Sequence, residues 1–318
     1  MVTGLERARQ KSIARRKSAS FYQLLRKGIR FIPLGRYAIA VKLMSLPSLK
    51  STVLPVEKGQ WLLFPRGPST WPPLGLKEPH VRYHLEALFK NSDAFIDCGA
   101  NLGWYSFLAS GYDSMKNLIA VEPVYQSIRY LKIIKQLNQI ENLTIIKGCI
   151  SDHDGSVLFP SPKKRFFEMG CVEPAMNGGS NCLLAESPSY TLQTIVDMLP
   201  ASLNQICMKI DVEGHEKTVL NSISHETFAK RIRSAIVEVH LYKFQNPEDE
   251  LKEICEILSL IGKPQFLLSP QITPFYRRFR HHLSGRYPVS KLQFPTILKL
   301  IRQGVVSELH VLVEKRAE

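Results

Sequence analysis

The 318-residue sequence has no C-x-x-C pair, no G-x-x-x-x-G-K-[ST] loop and no asparagine-proline-proline-aromatic tetrad. The first absence removes the usual spacing for structural zinc or a redox dithiol. The second excludes a triphosphate P-loop, and the third removes the pattern that accompanies methylation of amino groups. No apolar run approaches the roughly 20 residues needed to cross a bilayer. The basic start also lacks a clean small-residue cleavage site, so it does not read as a secretory signal. Cysteines are few and scattered. Cys98, Cys149, Cys207 and Cys255 lie in apolar or helical contexts and read as buried thiols, while Cys171 and Cys182 lie in a polar loop and can pair. That usage suits a reduced, intracellular protein. Trp61, Trp71 and Trp104 are too dispersed to form a sugar platform.

Charge, by contrast, is plentiful and uneven. Net charge is +14, yet residues 1–60 hold thirteen Lys and Arg against only Glu6 and Glu57, which leaves the rest nearly balanced. The basic character therefore belongs to an N-terminal arm. The chain divides into an arm and lead-in over 1–79 and a catalytic domain over 80–318. A solvated, partly helical arm is the plain expectation, and peripheral contact with anionic lipid at the inner face of a membrane is the sharper one. The expected location is cytoplasmic.

From residue 80 onward strand and helix signals alternate. "HVRYHLEALFKNSD" is helical, and short apolar runs end at Asp97, Glu122 and Ser151. "ICMKIDVE" and "SAIVEVHL" supply further strands, with "QFLLS" and "ELHVLVEK" last. "GSVLF" at 155–159 reads as an addition to the third strand. The strongest helix runs from Asn246 to Gly262: Asn246 is placed to cap, Pro247 opens the first turn, and Leu251, Ile254, Cys255, Leu258 and Ile261 form the stripe. Such alternation predicts a doubly wound, mainly parallel α/β sheet. Two long stretches, 161–190 and 270–307, read as irregular, and loops of that length are usually functional.

"AFIDCGANLGWYS" (94–106) is a buried strand breaking through glycines into a helix, a frame that binds anions or nucleotides. Where a dinucleotide fingerprint has its second glycine, to admit a pyrophosphate, this turn has Asn101. Glu122 closes the next strand 19 residues beyond Gly103, at the place of a ribose-binding carboxylate. A ribose without a pyrophosphate points to S-adenosyl-L-methionine, with Asp97 at the strand end to meet the ammonium of its amino-acid tail.

Five blocks in order, "FIDCGANLGWYS", "VEPVYQSIRYLK", "CISDHDGSVLF", "TLQTIVDMLP" and "MKIDVEGHEKTVLNSI", resemble the FkbM family of methyltransferases over about residues 80–262. The resemblance implies a class I methyltransferase (Rossmann-like) fold, S-adenosylmethionine as donor and a hydroxyl acceptor. It implies that Asp97, Gly99, Asn101, Gly103 and Glu122 line the cofactor site and that Asp152 meets the adenine amino group. The arm and the basic stretch 275–286, within the aromatic-rich 274–288, lie outside the family pattern.

"KIDVEGHE" places Asp211, Glu213, His215 and Glu216 at the end of the fourth strand, the edge where open α/β sheets bind ligands. Methyl transfer to a hydroxyl requires an aligned acceptor and a base. His215 is the first candidate for the base and Glu213 the second, with Asp211 positioning the acceptor. Glu238 and His240 alternate with apolar neighbours and share a face; with Asp211 they offer ligands for a divalent cation. The expected acceptor is a small molecule or glycan. An RNA methyltransferase, or a non-catalytic module of the same fold that binds anionic membrane or a partner, stays open, with nucleic acid the less favoured.

Overall fold

The computed structural model describes residues 53–55, 61–63, 78–162, 182–267, 287, 289–290 and 292–315. The basic arm, most of the 274–288 stretch and Cys171 lie outside these residues. Strands β1 (Val53–Pro55) and β2 (Trp61–Leu63) form a small antiparallel pair. Helix α1 (Pro79–Phe89) then leads into β3 (Ala94–Cys98), α2 (Trp104–Ala109), β4 (Asn117–Glu122), α3 (Tyr125–Asn138) and β5 (Leu143–Lys147). A side sheet follows, built of β6 (Cys149–Ile150), β7 (Gly155–Pro162) and β8 (Cys182–Tyr190). The chain continues through α4 (Leu192–Asp197), β9 (Ile206–Ile210), α5 (Glu216–Asn221), α6 (His225–Arg231), β10 (Ile232–Val239), α7 (Pro247–Leu258), β11 (Gln265–Leu267), α8 (Phe294–Arg302) and β12 (Leu309–Glu314).

The main sheet has seven strands in the order β11-β12-β10-β9-β3-β4-β5. The five from β10 to β5 are parallel, whereas β12 runs antiparallel to both β10 and β11. Buried on both faces, β3 and β9 are apolar runs, as parallel strands must be. Period-two alternation sorts them: Ile96, Met208 and Val237 pack with α4–α8, while Phe95, Cys207 and Ile236 pack with α1–α3.

Alternation also explains where the polar residues go. Continuing the α1–α3 face by twos gives Asp97 after Phe95, Lys209 and Asp211 after Cys207, and Glu238 after Ile236; His310 precedes Leu312 on the same face of the antiparallel neighbour. One row of charged and polar residues thus crosses the edge of the sheet, meeting Ser106 and Tyr105 of α2 and His80 of α1.

Several sequence expectations are corrected. The third strand breaks at Gly148 into β5 and β6, which belong to different sheets, and the segment from Gly155 pairs with β8 rather than extending β5. A side chain at Gly148 would meet the Tyr190 ring at 2.6 Å and the Pro188 carbonyl at 2.8 Å. The expected loop 161–190 contains β8 and the end of β7, and 270–307 contains α8. Asn246 makes no side-chain cap to α7, although Glu248, Asp249 and Glu250 fill the first turn. Among the described residues no helix is long and apolar enough to cross a membrane.

Candidate active site

The turn after β3 is shaped by contacts a glycine alone permits. Gly99 has φ +75°, and a Cβ there would lie 1.9 Å from the Asp211 carbonyl oxygen. The ends of β3 and β9 thus meet with no room for a side chain. Gly103, at φ +76°, would place a Cβ 2.1 Å from Leu131 Cδ2, so its absence lets α2 pack on α3. Asn101, between them, is a non-glycine in the left-handed region at φ 50°.

Both carboxylates of this half are anchored by neighbouring loops. Asp97 Oδ2 accepts from the Ser106 amide (3.0 Å) and hydroxyl (2.6 Å), whereas its buried Oδ1 accepts nothing. Burial lifts the Asp97 carboxyl above its ordinary value. Glu122 accepts from the Asn101 amide through Oε2 and the Val124 amide through Oε1, each at 2.8 Å. Burial outweighs those two bonds and pushes its pKa up to about 7. An unused acceptor on Asp97 and a carboxylate closing the next strand suit a ligand with an ammonium and a ribose. Asp152 is fully exposed and engages Ser151 and His153, which hold its carboxyl below the ordinary value.

The other half of the edge is denser. Lys209, 2% exposed, donates to Asp211 Oδ2 at 2.7 Å. Burial alone would depress its pKa, but Asp211, Glu78, Glu238 and Asp97 together hold it above the ordinary range. His240 is buried just past β10. Its Nδ1 donates to the fully buried Glu216 at 2.8 Å, which leaves Nε2 facing Glu213 Oε2 at 3.7 Å and Asp211 Oδ1 and Glu238 Oε1 at 4.0 Å each. Against the burial, Glu216, Asp211 and Glu238 push the His240 pKa up to about 9. Glu213 is half-buried at φ 55°, and burial raises its carboxyl; His240 opposes that rise, while Asp211 and Glu238 add to it. Farther along the edge, Glu238 Oε2 lies 3.3 Å from His310 Nε2, His80 Nε2 lies 3.4 Å from His310 Nδ1, and Tyr105 donates to Glu78 at 2.8 Å.

The structure thus brings Asp211 and Glu213 together with Glu238 and His240. His215 stands apart, exposed at the start of α5 with no side-chain cap bond. Glu78, Lys209 and His310, to which the sequence reading assigned no part, and Glu216, which it placed at the strand end without a role, complete the cluster. For Lys209 the signal was present: it is two residues before Asp211 in a strand, hence on the same face.

A five-strand parallel sheet with a reversed strand inserted beside β10, a glycine turn after the first strand and an acid closing the second define a class I methyltransferase fold. Over residues 97–264 the sequence matches the family model described as the methyltransferase FkbM domain. That span is more than half the chain: the protein belongs to the FkbM methyltransferase family, and its methyl donor is S-adenosylmethionine. No curated protein matches the sequence. Among solved structures, the chain is similar to the precorrin-6y C5,15-methyltransferase of Geobacter metallireducens GS-15 at 10% identity and TM-score 0.36, covering 74% of this chain and 88% of that one. An rRNA methylase from Streptococcus thermophilus also shares 10% identity, with TM-score 0.40 and coverage of 76% and 99%. The human methyltransferase 10 domain containing protein is similar at 13% identity and TM-score 0.40, covering 90% and 97%.

Proposed function

We propose that the protein transfers methyl groups to a hydroxyl of a small molecule or glycan. The observation that carries this reading is the His240 imidazole, held by Glu216 behind it and facing Asp211, Glu213 and Glu238 with its other nitrogen. A hydroxyl must shed its proton as it attacks, so its site needs proton acceptors at the edge beside the donor. Bound S-adenosylmethionine supplies an electrophilic methyl on a sulfonium; Asp97, Asn101 and Glu122 are the residues that would hold it. Asp211, fixed by Lys209, orients the acceptor. Glu213, the member of the cluster most open to solvent at 38% side-chain exposure, is where the proton leaves.

The test is transfer of radiolabelled methyl to hydroxyl acceptors, with amines and RNA alongside. Glu213→Gln is expected to slow single-turnover transfer about 10²–10⁴-fold while S-adenosylhomocysteine affinity changes only a few-fold. Labelling of RNA or amines alone overturns the reading. The charge of residues 1–60 supports a second proposal, peripheral contact with anionic membrane. Sedimentation with phosphatidylserine vesicles at low salt, lost at high salt or on removing residues 1–60, is the expected result.

A further inference from the structure

We propose that Asp211, Glu213 and His240 form a binding site for a divalent first-row cation. One ligand atom from each lies within 4.8 Å of the others. The arrangement is mixed, two hard carboxylate oxygens and one imidazole nitrogen, a donor set suited to Mn²⁺ and Zn²⁺.

Gathered acids alone would mean little, and the independent observation is His240. It is 3% exposed, and its Nε2 stands beyond hydrogen-bond distance of each of the three carboxylates it faces. Its neighbours Glu213 Oε2 and Asp211 Oδ1 stand at 3.7 and 4.0 Å. An N–H donating to a carboxylate would close to about 2.7–2.9 Å. Two ligand atoms sharing a cation with bonds of about 2.1 Å instead stand roughly 3.0–4.2 Å apart, depending on the angle between them. The two separations from Nε2 belong to the second range.

The outer contacts agree. A ligating histidine commonly donates its other nitrogen to a carboxylate, which fixes the tautomer and turns the free nitrogen toward the metal. Glu216 does this to His240 from a fully buried position at 2.8 Å, and Glu216 is itself held by the Gly214 amide at 2.9 Å. Lys209 does the equivalent for Asp211: it takes Oδ2 at 2.7 Å and leaves Oδ1 on the side of His240. Glu238, 8% exposed, brings Oε1 to 4.0 Å from the same nitrogen, adding negative charge beside the site.

The experiment titrates the full chain with Mn²⁺ and follows loss of the free-ion electron paramagnetic resonance signal, with a parallel Zn²⁺ titration read by calorimetry. One equivalent of either ion should bind, at least about tenfold more weakly in Glu213→Gln and in His240→Asn. Asp249→Asn, an exposed acid on α7, should bind like the parent. Circular dichroism establishes that each variant is folded. No binding of either ion to the folded parent up to about 1 mM overturns the site, as does binding that both variants leave unchanged. Neither methyl donor nor acceptor is present in the titration. Failure to bind therefore leaves the hydroxyl reading intact, and failure of the acceptor screen leaves the cation site intact.

Discussion

The two halves of the sheet edge hold their charge by different means. Beside β3 and β4, Asp97 is held through one oxygen by the amide and hydroxyl of Ser106 in α2, and Glu122 by the amides of Asn101 and Val124. Beside β9, β10 and β12, acids are met by charged side chains: Lys209 from the same strand end, and His240 and His310 from other segments. The first half depends on the path of the backbone, the second on a balance of buried charges. Backbone turns are built once and stay fixed, whereas a charge network fails when one member is lost.

Removing the central cation should do most damage. Lys209→Ala removes the buried cation that bonds Asp211 and is expected to cost about 3–5 kcal/mol in urea unfolding, since breaking a buried ion pair leaves uncompensated charge. A loss under about 1 kcal/mol would show that the charges in the second half are individually dispensable. Gly99→Ala attacks the junction of the halves. The positive φ and the Asp211 carbonyl at 1.9 Å both oppose a methyl group, for about 2–4 kcal/mol, and chemical unfolding measures it.

Next comes pH in the first half. Glu122 titrates at about 7 when folded against an ordinary 4.5, so between those values the folded chain binds more protons than the unfolded one. Its contribution is fully present below about pH 4.5 and is lost as pH rises through about 7. Glu122→Gln should remove about 1–3 kcal/mol of that slope, measured as the difference in unfolding free energy across the window. A parent and a variant with the same slope would contradict the burial effect. The smallest effect is expected at His215, exposed and making no cap bond: His215→Ala should move stability by less than about 0.5 kcal/mol.

The same contrast explains what was legible in the sequence. Glycines at 99 and 103, Asp97 and Glu122 mark a strand-turn-helix and the end of the next strand within thirty residues, so the first half could be read directly. In the second half, Glu216, Glu238 and His240 were named from local spacing and Lys209 could have been, but Glu78 and His310 lie far along the chain and only the sheet order brings them to the cluster. His215 drew the base assignment because it stands in the motif, yet the helix start turns it to solvent, and His240 takes the place beside Asp211. In the fold, β3, β4, β9, β10 and α7 were clear from apolar runs or stripes. The β7–β8 pair was not: 161–190 read as irregular, and the paired strands carry Pro160, Pro162 and Pro188 within them. Helix α8 was hidden behind Pro295, which proves to belong to its first turn.

The closeness of Gly99 to Asp211 has a thermodynamic side. The Asp211 amide also donates to the Cys98 carbonyl at 3.1 Å, so the glycine turn and the peptide that carries the Asp211 carboxylate share one backbone contact. Under the proposed roles of the turn and of Asp211, donor and acceptor bind as linked variables: the factor by which donor raises acceptor affinity is the factor by which acceptor raises donor affinity.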